Sequence, residues 1–594
     1  MILEWNNLHV KLPNMNTNIK KEYFHVLKDI SGKIRSGQLL ALMGKSGSGK
    51  STLLDILVGT ISENTITQGN IFIDGKNRDD IEWYKTIAYV PQKYQFWNDL
   101  TARETIEYSY KFKNDYKTIN PTKITTLIKT LDLDEVLDNK MSKLSSGERK
   151  RIMVACALIC NPSIIFLDEP VSGLDTLTAQ KIIVELKRQA VEYKKIIIVS
   201  IHQPSSYFFK MFDELLLLKN GEMIYSGPIK SLPDLLQSRP DYVPVNEYIL
   251  TMSSNGYAEL LKHTGPYKEP TQDWKNTNSS YMNYKPKLSE ILILFKRRLL
   301  LKKRKPMNFF KYSLPGLSFF SFFLIISFFS ICKLLGEFYT TSFEKNMIVN
   351  YFDFSMLFDV LKSPLIVISQ YLISGVSNSF INEMAIIKGE CAAFYYSSTS
   401  YYLSVLAYEL IYNYFFVFLG FFAVKIFYST VNSMLYIYFL FISPIILIPI
   451  SLFIGTLSTS SLIISTFNSI LSIIICLSDS MVRYLEKKPD IKNIYKALLW
   501  ILSIFLPVRY FINIMSYCFI SDITFKNESF FEYFANHPNF SGLPIKYNNL
   551  LVKYHDTVLP LYIHWIVTLI TPIFFILVST YTLNKLLKPS IRLN

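Results

Sequence analysis

The run Gly44-Lys45-Ser46-Gly47-Ser48-Gly49-Lys50-Ser51, inside "ALMGKSGSGKSTLLDIL", constrains this chain more than any other stretch. It satisfies G-x-x-x-x-G-K-[ST], a motif that needs a strand before it and a helix after it. "QLLALM" supplies a short apolar strand, and "STLLDILVG" has apolar residues at helical spacing. Glycines let backbone N–H groups turn inward onto phosphates at a helix N-terminus. In that arrangement Lys50 reaches the β- and γ-phosphates, the Ser51 hydroxyl ligates Mg²⁺, and Thr52 follows in the first helical turn. The motif implies a nucleoside triphosphate with Mg²⁺, held in an α/β P-loop domain.

At 594 residues the chain is long enough for three or more domains. Half of the residues are hydrophobic, yet the first 300 carry ordinary charge density while long runs after Ser313 carry none. The formal charge of +15 is concentrated at "FKRRLLLKKRKP", Phe295 to Pro306, directly before the first long apolar run. That placement fits positive charge on the cytosolic side of a membrane and argues against a nucleic-acid partner. Six cysteines, Cys156, Cys160, Cys332, Cys391, Cys476 and Cys518, show no zinc-ligand or redox spacing. "MILEWNNLHVKLPNMN" lacks the basic and apolar regions of a signal peptide, so the first domain is expected in the cytosol.

"IIFLDEP", Ile164 to Pro170, is an apolar strand ending in two carboxylates. A strand emerging into a phosphate site places Asp168 near the metal and leaves Glu169 to polarise an attacking water. With four further elements, the order resembles the ATP-binding cassette (ABC) family. "YVPQ" is similar to the family's glutamine loop, which gives Gln92 a place beside the metal. "LSSGERKR", Leu144 to Arg151, resembles the signature, usually L-S-G-G-Q, with the E-R-K-R ending of subfamily G, the White and pleiotropic-drug-resistance types. "SGLD", ending at Asp175, resembles the loop that communicates across a dimer, and "SIHQPSS" presents His202 in the place of the switch histidine.

The resemblance implies nucleotide contacts from Ser145, Gly147 and Glu148 of the signature and from Asp175, with Glu169 and His202 catalytic. Tyr23 or Phe24 could stack on adenine, although an aromatic in a strand is more often core packing. The signature departs from the family at Ser146, where glycine is expected, which adds a Cβ and a hydroxyl near the γ-phosphate. In this family a nucleotide lies between one cassette's P-loop and another's signature. A chain with one cassette is therefore expected to pair with itself or with another half-size chain.

"NGEMIYSGP" is similar to the strand and turn that close subfamily G cassettes, and "LSEILILFKRRLLLKKRK" reads as an amphipathic helix at the cytosolic membrane surface. The expected organisation is a nucleotide-binding domain over 1–240, a linker with that connecting helix over 241–312, and an all-α transmembrane domain over 313–594. At about 20 apolar residues per span, six helices are expected near 313–334, 354–382, 401–424, 434–457, 461–479 and 559–583. The third carries Glu409, a costly residue unless it faces protein or a cavity. The apolar run over 497–520 reads as re-entrant, because "FLPVRYFINIM" is similar to the subfamily G segment of short re-entrant helices.

Six spans place an external loop over 521–558, with sequons at Asn527 and Asn539, and return both termini to the cytosol. "NEMAIIKGECAAFYYSSTSYYLS" resembles the family stretch that joins spans two and three and contacts the cassette, with Glu383 and Glu390 at the family's separation. Subfamily G members move sterols, lipids and amphipathic xenobiotics, usually outward. The resemblance thus implies export of a hydrophobic compound across the bilayer, more readily the plasma membrane than an internal one. Tyr371 and Asn468 are the cavity residues this implies. The alternative is a weakly hydrolysing or regulatory subunit of a heterodimeric transporter, motivated by Ser146.

Overall fold

The computed structural model describes residues 1–13, 23–60, 65–80, 82–114, 121–236, 239–240, 243–251, 260, 286–304, 376–377, 379–427, 433–457 and 561–587. Two compact units divide the chain: Met1–Leu294 with Ala385–Tyr401 and Asn584–Asn594, and Phe295–Met384 with Tyr402–Leu583.

The first unit is built on a ten-stranded sheet whose strands run β5-β4-β1-β2-β10-β9-β3-β8-β7-β6. One side is antiparallel: β1 (Ile2–Pro13), β2 (Tyr23–Arg35), β4 (Ile66–Ile73) and β5 (Lys76–Asn77). The other side is parallel: β3 (Leu39–Met43), β8 (Ile196–Ser200), β7 (Ile164–Asp168) and β6 (Ile87–Val90). Between them lie β9 (Glu214–Lys219), parallel to β3, and β10 (Glu222–Pro228), which turns back on β9. The turn is at Asn220 and Gly221, both with positive φ.

Strands buried on both faces read as unbroken apolar runs, and the pleat sorts them into two cores. Leu39, Ala41 and Met43, with Ile165, Leu167, Ile197 and Val199, face one core. Leu40 and Leu42, with Ile164, Phe166, Ile196 and Ile198, face the other. The first core is covered by α2 (Ala102–Lys113), α3 (Pro121–Thr130), α4 (Ser146–Ile159) and α5 (Thr176–Tyr193), the second by α1 (Lys50–Val58) and the antiparallel strands. The strand before the glycine loop and the helix after it form as the spacing predicts.

Beyond β10 come α6 (Val245–Thr251) and α7 (Leu288–Arg304), the expected amphipathic helix. Its charge distribution differs from a simple basic face. Arg297 and Arg298 are buried, while Leu288, Leu292 and Leu299 are exposed. In the first unit, Glu290 accepts hydrogen bonds from the Ser400 hydroxyl (2.7 Å) and the Ser397 amide (3.3 Å).

The second unit contains long helices: α8 (Ser398–Phe427), which begins in the first unit, α9 (Ser433–Leu457) and α10 (Leu561–Leu587). They fall on the expected third, fourth and sixth spans. Of the described residues, one stretch, Ile570–Leu587, passes for a membrane span by length and mean hydropathy, 1.4. Spans expected at 313–334 and 461–479, the re-entrant run, the external loop, Tyr371 and Asn468 lie outside the described residues, as does most of 354–382. Glu409 is 5% exposed and accepts from Arg298 Nη2 at 3.2 Å, so its burial is balanced by a charge on α7.

Candidate nucleotide site

Four adjacent parallel strands, β3, β8, β7 and β6, end on one edge of the sheet, and the expected site residues follow their C-terminal ends. That is where ligands bind in open α/β sheets. After β3 the chain turns through Gly44 at φ 152° and enters α1 through Gly49 at φ 100°. A Cβ on Gly44 would sit 2.4 Å from the Leu218 carbonyl oxygen, and one on Gly49 2.6 Å from Leu27 Cδ2. Both positions thus exclude side chains twice over, by backbone angle and by space.

No side chain caps the first turn of α1. Lys50, 6% exposed, folds onto the loop, donating to the carbonyls of Gly44 (2.9 Å) and Lys45 (3.1 Å). Burial lowers its pKa, against the pull of Glu169 and Asp168. The buried Ser48 hydroxyl has no hydrogen-bond partner among the described residues. Lys45, Ser46, Gly47 and Ser51 are exposed and Thr52 is buried. An uncapped helix start, an orphaned hydroxyl and a lysine resting on carbonyls fit a phosphate group, which would satisfy all three.

Asp168 ends β7 opposite Ser200 of β8. It accepts from the Ser200 hydroxyl at 2.5 Å and from the Ser51 hydroxyl, and burial raises its pKa. A hydroxyl, a carboxylate and the nearby Gln92 amide are hard oxygen donors that suit Mg²⁺. Glu169 stands in the left-handed region at φ 49°, a conformation that costs a non-glycine residue roughly 1–3 kcal/mol. It is held from several sides. Its N–H donates to Ser200 Oγ (2.8 Å), its carbonyl accepts from Ser172 N (3.3 Å) and Lys150 Nζ (3.4 Å), and its carboxylate accepts from Gln92 Nε2 (2.9 Å).

The signature begins α4. Ser145 is its N-cap, accepting from Glu148 N at 3.2 Å, while Glu148 Oε2 accepts from Ser145 N (2.7 Å) and Oγ (2.8 Å). This is a capping box, so both residues have a helix-starting role besides any nucleotide contact. Their hydrogen bonds hold the Glu148 carboxyl below its usual range. Ser146 lies in the first helical turn, exposed and without a positive φ, so its Cβ brings no backbone strain. A Cβ on Gly147 would stand 3.3 Å from Leu174 Cδ2.

Asp175 likewise caps α5 by accepting from Thr178 N at 2.9 Å. His202 is exposed, two residues past β8, with no hydrogen bond to Glu169 among the described residues. Tyr23, half-buried, starts β2 opposite Pro13, four residues before the Leu27 that abuts Gly49, and its neighbour Phe24 is exposed.

Sequence reasoning missed Ser200 and Lys150. Ser200 was legible as a polar residue closing an apolar strand two positions before His202. Lys150 stood inside "ERKR" with nothing local to distinguish it from the basic residues around it. A third omission is Asp55, on α1 one turn past Ser51, which accepts from Tyr89 Oη (2.9 Å) and Thr60 Oγ1 (3.1 Å). Burial raises its pKa to about 7, and the charge of Asp168 adds to the rise.

The ABC transporter family profile matches residues 27–172. A probable ATP-dependent permease of Saccharomyces cerevisiae is 34% identical over 263 residues, 42% of this chain and 25% of that protein. ABC transporter G family member 13 of Arabidopsis thaliana is 35% identical over 240 residues, 39% of this chain and 34% of that one. ATP-binding cassette sub-family G member 5 of Rattus norvegicus is 35% identical over 212 residues, 34% of this chain and 32% of that one. The matched region thus spans about a third or less of each of these relatives. A solved dimeric ATP-binding cassette in a post-hydrolysis state, bound to ADP and Pi, is 26% identical with a TM-score of 0.34, over 38% of this chain and 98% of that one. The N-terminal part of this chain is similar in sequence to the ATP-binding cassettes of ABC transporters, subfamily G members among them.

Proposed function

We propose that the chain is a half-size ATP-driven membrane transporter of subfamily G that works as a dimer and exports a lipid, sterol or amphipathic hydrophobic compound. The observation that carries this reading is the convergence of cradle, Asp168, Glu169 and Gln92 at the ends of β3, β7 and β6. In this reading the cassette occupies 1–240, the linker 241–312 and the membrane domain 313–594. Bound ATP supplies the phosphoanhydride whose hydrolysis drives the cycle. Gly44 to Thr52 cradle its phosphates, with Lys50 exchanging carbonyl contacts for phosphate oxygens. Ser51, Asp168 and Gln92 hold Mg²⁺. Glu169 takes the proton of the attacking water, and His202 contributes from the neighbouring strand end. Tyr23 is the residue this reading gives to stacking on the base.

The second copy follows from the signature. Ser145, Gly147, Glu148 and Asp175 serve the nucleotide on the partner's P-loop, so one cassette alone completes no site. Placement in a membrane is supported by the 30, 25 and 27 residues of α8, α9 and α10, each long enough for the ~30 Å hydrocarbon core at about 1.5 Å per residue. On α10, Ile570, Ile573, Phe574, Leu577 and Tyr581 are all more than half exposed, and their spacing puts them on one face, as contact with lipid requires. Leu288, Leu292 and Leu299 form a similar exposed stripe on α7, suited to an interfacial helix.

The test is Mg-ATP hydrolysis by the full chain, purified alone into lipid. Turnover that Glu169→Gln lowers at least a hundredfold is the expected result. A folded, ATP-binding preparation without turnover would instead favour a heterodimer in which another chain carries the better signature.

A further inference from the structure

Glu169 cannot hold its place by backbone preference, since its φ of 49° is unfavourable for any residue with a Cβ. Its amide is tied to Ser200 on β8, a fixed point in the sheet. Its carbonyl is tied elsewhere. Lys150 projects from the second turn of α4 and donates to the carbonyls of both Glu169 (3.4 Å) and Ser172, the two ends of the short turn that carries the carboxylate. The same turn leads into Leu174, which packs against Gly147 at the start of α4. From Ile152 to Ile159 the helix is buried, so it moves as one body with its N-terminus.

We infer that Lys150 is a positioning residue through which the signature helix sets the backbone of Glu169, linking the site that α4 serves on the partner to the site in its own chain. This rests on the dimeric reading above, in which the α4 N-terminus meets the partner's nucleotide. When nucleotide draws that N-terminus, Lys150 draws the Glu169 carbonyl with it, and the carboxylate leaves or keeps its bond to Gln92 accordingly. Partial burial lowers the lysine's pKa, and the charge of Glu169 opposes that shift.

The test uses the full chain in lipid, comparing wild type, Lys150→Met and Lys150→Arg for ATP turnover and for equilibrium binding of a fluorescent ATP analogue. A misplacement of the order of 1 Å near the chemistry can cost about a hundredfold in rate. Lys150→Met is therefore expected to lower kcat at least tenfold, with KM and analogue affinity within about twofold. Any cooperativity in ATP concentration should fall toward a Hill coefficient of 1. Lys150→Arg, which can still donate to two carbonyls, is expected to recover most of kcat. Wild-type turnover in Lys150→Met overturns the inference. So does a parallel loss of affinity and kcat that arginine does not restore, because a plain structural role predicts that pattern. Absence of any Glu169-dependent turnover in wild type removes the homodimeric ATPase reading, and this inference with it.

Discussion

Polar groups are treated in opposite ways in the two units. In the nucleotide site the Ser48 hydroxyl is orphaned, Lys50 rests on loop carbonyls, and Glu169 leans on Gln92. In the second unit Arg298 donates to Glu383 at 2.6 Å and to Glu409 at 3.2 Å, and its guanidinium lies 5.4 Å from the centre of the Tyr408 ring. The Arg298 and Glu409 side chains are 7% and 6% exposed, and the Asn413 amide donates to the Glu409 carbonyl at 2.7 Å. The first set of contacts is exchangeable, because a ligand can replace each of them. The second is closed only in the sense that charge meets charge between side chains of the fold itself. Removing a ligand-exchangeable partner should change rates, whereas removing a partner from the closed cluster should change stability.

The largest expected effect breaks the closed cluster. Arg298→Met leaves Glu409 buried, and Glu383 partly buried, without their counter-charge, which costs about 3–5 kcal/mol. Loss of folded protein in detergent, or a fall in unfolding midpoint of more than ten degrees, would register it. Adding Glu383→Gln and Glu409→Gln should restore much of the loss, since the neutral set carries no unpaired charge. An Arg298→Met protein as stable as wild type would show that the cluster is solvated and that the contrast with the nucleotide site is false.

Next comes a titration. Asp55 has its pKa raised to about 7 in the folded chain, chiefly by burial, against about 3.9 when unfolded. Folding takes up a proton between those values, so stability falls as pH rises through the window and the full cost is present above about pH 7. At about 1.36 kcal/mol per pH unit the cost has an upper bound of roughly 4 kcal/mol. Asp55→Asn keeps an oxygen for Tyr89 and Thr60 while removing the charge. It should raise the unfolding midpoint at pH 8, change it little at pH 4, and flatten the slope between. An unchanged slope would mean that Asp55 is ionised without penalty.

A smaller effect sharpens the contrast from the exchangeable side. Ser200 is fully buried and serves two neighbours, donating to Asp168 and accepting from the Glu169 amide. Ser200→Ala strands the part-buried Glu169 N–H, at about 1–3 kcal/mol, and frees the strained residue proposed to perform the chemistry. Turnover is expected to fall about tenfold, with ATP affinity nearly unchanged. Equal loss of affinity and rate would place Ser200 in the scaffold alone.

The cassette was legible because its strands are buried on both faces and its loop needs glycine. "QLLALM" and "IIFLDEP" could be little else, and Gly44 and Gly49 have no room for a Cβ. What joins distant segments was not legible. Lys150 and Ser172, or Arg298 and Glu409, are brought together by the fold across 22 and 111 positions, and no local pattern announces such pairs. Glu409 could be flagged as costly in an apolar run, but its partner sat in a segment that reads as a basic surface. Arg298 belongs to a helix whose polar face is partly turned inward, and counting charges cannot tell an inward arginine from an outward one.

Trp97 and Glu390 test the middle ground between the two kinds of contact. Both lie in the first unit, where Glu390 is 6% exposed, accepts from Trp97 Nε1 at 3.1 Å and receives a short hydrogen bond from Tyr396. Tyr396 stacks at a tilt on Phe112 of α2, with ring centres 5.1 Å apart. Trp97→Phe removes one donor from a charged acceptor that keeps another, so the expected loss is about 1.5 kcal/mol, a few degrees in the unfolding midpoint. Glu390→Ala removes the acceptor for both donors and should cost more than Trp97→Phe, while a Trp97→Phe, Glu390→Ala double variant should be little worse than Glu390→Ala alone. Additive losses would mean that Trp97 stabilises the unit by packing, and the bond to Glu390 would then belong with the exchangeable contacts of the nucleotide site.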